Sequence, residues 1–218
     1  LNREKLALKA AVPAKDARAD ESLLGFLKIP AVWMCFTFFF WFAMALSVVQ
    51  VFAPEATRQL HDVPLSLVAM CLTIYMVCSA GGMLLGGFLV ADPSRCERIV
   101  AAGIGLAAVT ALLLALGTLA AWMVPVLFGV MGFGAGIAGP SRDLLVKRST
   151  PENASGRVYG VVYAGLDIGQ AVSPLIFGTL MDHGQYRGIL LGLALMQCVL
   201  IASAFNVRRV RHTAMAPA

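Results

Sequence analysis

Four stretches of this 218-residue chain carry no Asp, Glu, Lys or Arg: Pro30 to Ala53, Val63 to Ala91, Ile99 to Ser141 and Gly188 to Val207. A fifth, Val158 to Met181, carries a single charge, Asp167. A helix needs about 20 apolar residues to cross the ~30 Å hydrocarbon core of a bilayer, so stretches of this length predict membrane spans. Ile99–Ser141 is too long for one crossing: at ~1.5 Å per residue it reaches about twice across. It is expected to fold back at Gly117-Thr118, with Trp122 and Pro125 opening the return helix. Six spans result, at about 30–53, 63–91, 98–117, 120–146, 156–181 and 187–207. The expectation is an all-α membrane protein, a six-helix transmembrane bundle over 29–207. A polar linker, 1–28, precedes it and a basic tail, 208–218, follows.

The basic residues sort themselves by side. The amino-terminal segment holds six, the second loop Arg95 and Arg98, the fourth Arg142, Lys147, Arg148 and Arg157, and the tail Arg208, Arg209 and Arg211. The first and fifth loops hold one each, Arg58 and Arg187, and the third none. Loops rich in Lys and Arg stay cytoplasmic. Both ends are therefore expected inside the cell, with the protein in the cytoplasmic membrane.

Bulk numbers agree with this class and exclude others. The chain is 59% hydrophobic and 13% charged, against ~25% charge in soluble domains. Its net charge of +5 is the topogenic excess just described. No basic stripe interleaved with aromatics accompanies it, so nucleic acid is not an expected partner. The five cysteines (Cys35, Cys71, Cys78, Cys96 and Cys198) form no CxxC pair. Four fall inside spans, where a thiol behaves as a small apolar group; no disulfide, metal or cofactor is expected. Asn153-Ala154-Ser155 fits the glycosylation pattern but falls on the predicted inner side. The chain opens on Leu1 with a polar, basic segment and no signal-peptide pattern, which reads as the middle of a longer protein. Residues 1–12 suit a short amphipathic helix, and 22–28 a helical turn on the inner membrane surface.

Glycine is spaced in fours: Gly82/Gly86, Gly132/Gly136, Gly156/Gly160, Gly165/Gly169 and Gly188/Gly192. Such pairs share one helix face and let two backbones approach closely. Gly139-Pro140 and Gly169, Pro174 and Gly178 add candidate bending points in the fourth and fifth spans.

Asp167 stands about 16 Å into the fifth span, near the bilayer midplane. A charged Asp there costs at least ~2.5–3.5 kcal/mol. Tyr163, Asp167, Gln170 and Pro174 are spaced four, three and four, one polar stripe down the helix. Two readings stand side by side: a protonatable or solute-facing carboxylate in a transport pathway, or a neutral, hydrogen-bonded Asp steadying a Gly/Pro-rich helix. In the first span, Phe40, Trp41 and Met44 lie deep enough to line a cavity for an apolar or amphipathic solute, with packing or lipid contact as the plain alternative. Trp33 suits an interfacial belt.

At these residues a family resemblance emerges. Thr150-Pro151-Glu152-Asn153-Ala154-Ser155-Gly156-Arg157-Val158-Tyr159-Gly160, followed by Gly165, Asp167, Gly169, Pro174, Gly178 and Asp182, resembles the loop before helix eleven, and helix eleven itself, of the major facilitator superfamily. The chain as a whole resembles the carboxy-terminal half of such a transporter, helices seven to twelve, with the tone of bacterial drug and solute efflux permeases. Gly169-Gln170-Ala171-Val172-Ser173-Pro174-Leu175-Ile176-Phe177-Gly178 is similar to the drug-antiporter motif of helix five, with Ser173 and Phe177 replacing glycines. Gly87, Asp92, Arg95 and Arg98 resemble a worn copy of the family's cytoplasmic loop motif, with the Gly-to-Asp spacing one residue long and Pro93 where an Arg belongs.

The resemblance implies a secondary, proton-coupled carrier that works by alternating access on a small solute. It implies a cavity lined by Phe40, Trp41, Met44, Ser47 and Gln50 from the first span and Met131 and Phe133 from the fourth. It implies a cytoplasmic gate drawn from Asp92, Arg95, Arg142, Asp143, Glu152 and Arg157, and a coupling group at Asp167 with Gln170 and Tyr163. It also implies a further six-helix half, encoded in the same gene or supplied by a second copy, with membrane lipid around both. A non-transporting membrane partner or receptor domain is one alternative. An intramembrane enzyme is another, but the spans hold no HExxH, no membrane His and no carboxylate pair.

Overall fold

The computed structural model describes residues 30–89, 96–149 and 155–214. Among them every regular element is helical. We number the helices α1 (Pro30–Ser47), α2 (Ala53–His61), α3 (Leu65–Leu89), α4 (Cys96–Leu116), α5 (Met123–Ser149), α6 (Ser155–Asp182) and α7 (Tyr186–Ala214). Six continuous helical rods among the described residues are long and apolar enough to cross a membrane. The protein is thus a multi-pass, all-helical membrane bundle.

The first rod outruns its uncharged stretch. α1 and α2 are joined by a π-helical turn, Val48–Phe52, into one span from Val32 to His61. The cause is Pro54. Proline has no N–H to give the carbonyl four residues back, here that of Gln50. The Ala53 N–H instead bonds to the Val48 carbonyl, and the widened turn carries the helix past the proline. Arg58 therefore sits on a helix and pairs with Glu55 at 2.7 Å. The rod ends at Asp62, whose φ of 50° is left-handed and whose N–H caps Arg58. His61 Nε2 lies 2.8 Å from the Leu114 carbonyl, tying this end of the first span to the end of the third.

The remaining spans run antiparallel to their neighbours in sequence. One end of the bundle gathers Leu89, Cys96, Ser149 and Ser155; the other gathers His61, Leu116, Met123 and Asp182. Packing pairs most helices out of sequence order, α1 on α6, α3 on α5 and α4 on α7, while α4 also lies on its sequence neighbour α5. α1 and α5 touch at few points, which leaves a gap between them.

Glycine makes the closest of these contacts. On α5, Gly132 and Gly136 meet the backbones of Tyr75 and Ser79; on α3, Gly82 and Gly86 meet those of Phe133 and Ile137. The two pairs interlock, so each helix supplies the flat surface against which the other lies. In lipid, apolar burial does not drive helices together, and such close packing has to do so. Behind this zipper, Leu114, Phe128, Ile189, Leu190 and Leu193 fill the bundle interior.

Candidate functional site

The gap between α1 and α5 is a cavity of about 420 Å³, walled by α1, α3 and α5. That is within the ~300–1,000 Å³ of small-molecule sites. Phe42 and Leu46 line it from α1, Gln50 from the π-helical turn, Tyr75 and Ser79 from α3, and Gly136, Gly139 and Arg142 from α5. The wall is mostly apolar, with a few polar groups, the usual composition of a solute site.

Arg142 is the charged group on that wall. It lies seven residues before α5 ends at Ser149, ~10 Å back along the helix. Its side chain is only 16% exposed. The guanidinium carbon stands 4.3 Å from the centre of the Phe42 ring and 5.4 Å from that of Phe39. Phe39 and Phe42 are one turn apart on α1, so together they form a shelf under the cation. Nε donates to Asp143 Oδ1 at 2.9 Å, and Asp143 itself is exposed. Arg142 thus bridges the gap that the helix backbones leave open.

A second, smaller space of about 30 Å³ adjoins the cavity, sharing Phe42, Leu46, Tyr75 and Ala135 with it. Gln197 of α7 borders this chamber. Its side chain is 6% exposed, and Oε1 has no hydrogen-bond partner among the described residues. A buried amide oxygen left so is costly, and the chamber has room for one water or one small group of a solute.

The polar stripe on α6 lies elsewhere. Gly165 and Gly169 seat that helix on the backbones of Phe36 and Phe40 of α1. Asp167 is two residues from each, so it stands about half a turn away, on the side facing out of the bundle. Tyr163, Asp167, Gln170 and Pro174 are all exposed. Tyr163 stacks on Tyr159 and touches Phe39, with ring centres 6.0 Å apart in each case. A chain of rings therefore leads from the stripe to Arg142.

The other residues singled out in the sequence fall as follows. Met44, Ser47 and Met131 are buried in helix packing. Phe40 and Trp41 are partly buried and meet edge to face at 5.4 Å, and Phe133 is partly buried with its carbonyl against Gly82. Pro140 and Pro174 lie inside uninterrupted helices; each leaves the carbonyl four residues before it without a helical donor. For Pro140 that carbonyl belongs to Gly136, on the cavity wall. Gly139 lines the cavity too, and nothing stands within 4 Å of where a Gly178 side chain would be. Asp92, Arg95 and Glu152 lie outside the described residues, and Arg157 falls in the first turn of α6. Phe42, Tyr75, Ser79 and Gln197 were not foreseen. Tyr75 and Ser79, four apart on α3, carried a faint signal as polar groups sharing one face of a span.

Comparison with known proteins decides the family. The profile of the Major Facilitator Superfamily matches residues 32–217. The chain belongs to that superfamily. It is a membrane transporter of a solute by class, and enzymatic chemistry is not the family's activity. A "Multi-drug resistance efflux pump PmrA homolog" of Lactococcus lactis subsp. cremoris is 28% identical over 81 residues, covering 37% of this chain and 68% of that protein.

Proposed function

We propose that this superfamily member is the carboxy-terminal six-helix half of a proton-coupled secondary transporter. It works by alternating access, with both termini cytoplasmic, and exports amphipathic small molecules. The efflux direction and drug-like solute are drawn from the Lactococcus relative. The 420 Å³ cavity is the part of the solute site that this half supplies.

The observation that carries this reading is the exposed Tyr163–Asp167–Gln170 stripe. A carboxylate at mid-span facing lipid would cost at least ~2.5–3.5 kcal/mol. A second six-helix unit laid against α6 would turn that face into a lined pathway, where Asp167 exchanges a proton as the two halves rock. Tyr163 of the same stripe stacks on Tyr159 and meets Phe39, over whose ring Arg142 lies.

The test is transport by the natural gene product in vesicles under an imposed pH gradient. Asp167→Asn should lose gradient-driven transport while keeping solute binding. Unchanged rate and pH dependence in that variant would refute the coupling role.

A further inference from the structure

We propose that the solute this cavity takes is an organic anion, an apolar ring or chain bearing a carboxylate, sulfonate or phosphonate, with Arg142 as the residue that reads its charge. This rests on the cavity being the solute site.

Three observations converge. First, Arg142 is the charged side chain on the cavity wall, and no carboxylate stands there among the described residues. A cationic solute would meet a like charge on that wall. Second, the aromatic shelf is already taken. Of its two rings Phe42 lines the cavity, and it is the face on which an organic cation would rest; the Arg142 guanidinium already lies over it. A cation would have to displace a tethered one and then bind beside it. Third, the guanidinium is only partly used. Its Nε holds Asp143, but the two terminal nitrogens have no acceptor among the described residues. They present the paired donors that fit a carboxylate or sulfonate in bidentate fashion.

The Asp143 contact does not block this. Asp143 is 62% exposed, and an exposed ion pair adds little. It holds the guanidinium by one nitrogen and steers the open edge of the fork away from itself. The rest of the wall suits the body of such a solute: Leu46 and Met83 are apolar, while Ser79 and Gln50 offer neutral polar contacts.

The probes are three molecules of one shape: 2-naphthoate, 2-naphthamide and 2-naphthamidinium. Their affinities are measured for the full chain in nanodiscs of neutral lipid by equilibrium dialysis. The expected order is anion, then neutral, then cation, with at least tenfold between first and last. Arg142→Gln should cut the anion-to-neutral affinity ratio about tenfold or more. Arg142→Lys should keep part of it, since an ammonium supplies charge without the planar fork. Asp143→Asn should raise that ratio and lower the cation's affinity further. Because each readout is a ratio within one preparation, partial loss of folded protein does not mimic it.

Equal or better binding of the cation by the unaltered protein overturns the proposal, as does a ratio indifferent to Arg142→Gln. In either case binding of the neutral probe leaves the cavity itself standing as the solute site. Failure of all three probes to bind overturns both readings together.

Discussion

Gly136 of α5 lies against the Ser79 carbonyl of α3 with no room for a side-chain carbon between them. The contact recurs one turn earlier, where Gly132 meets Tyr75, and is answered from α3 by Gly82 and Gly86. Gly136→Ala or Gly132→Ala forces the helices apart and should destabilise the bundle by about 1–3 kcal/mol, the cost of overpacking. Gly81→Ala and Gly87→Ala, where nothing stands within 4 Å, should change little. Thermal unfolding in detergent reads all four, and similar Tm values across them would contradict the zipper.

The cation–ring contact across the cavity should be measurable as a coupling. With the Arg142 carbon 4.3 Å from the Phe42 centroid, the cycle of Arg142→Gln, Phe42→Leu and the double variant should return about 0.5–2 kcal/mol. A coupling near zero would mean that the two side chains act independently.

Asp167 distinguishes a pathway group from a structural one by opposite effects. Its carboxylate points away from the face that meets α1 and makes no hydrogen bond among the described residues. Asp167→Leu should leave the thermal stability of this chain unchanged or raise it, while transport by the natural gene product falls at least tenfold. Destabilisation by more than about 1 kcal/mol, the scale of a lost hydrogen bond, would identify a structural partner instead.

The His61–Leu114 bond closes one end of the bundle. His61→Ala should cost about 1 kcal/mol, and His61→Gln should recover part of it by donating to the same carbonyl. Equal Tm values for the two variants would argue against the bond.

Topology is open to direct labelling. Single cysteines at Thr118 and Arg148, in a background without native cysteines, should react with an impermeant thiol reagent from opposite faces of the membrane. The Thr118 site should react from outside in whole cells and the Arg148 site only in inverted vesicles. Reaction of both from one side would refute the charge-derived orientation.

The sequence by itself determined that this chain threads lipid in helices. Each crossing needs a run of apolar residues long enough to span the hydrocarbon, and such runs are countable before anything folds. It also carried the glycine pairs, since a four-residue spacing marks one helix face whatever lies opposite. Only the tertiary structure decided which helix lies opposite. Nothing in Gly132 or Gly136 names Tyr75 and Ser79 as their partners.

The same limit explains the candidate site. Arg142 reads in sequence as one of several inner-side charges, just past an uncharged stretch. In the fold α5 continues two turns further, and the guanidinium folds back over Phe39 and Phe42. Met44, expected in the cavity by its depth, and Met131, expected there by the family resemblance, turn into the packing. Depth along a helix is set by counting residues; the direction a side chain takes at that depth is set by the neighbours that surround it, and those come from spans far away in the chain.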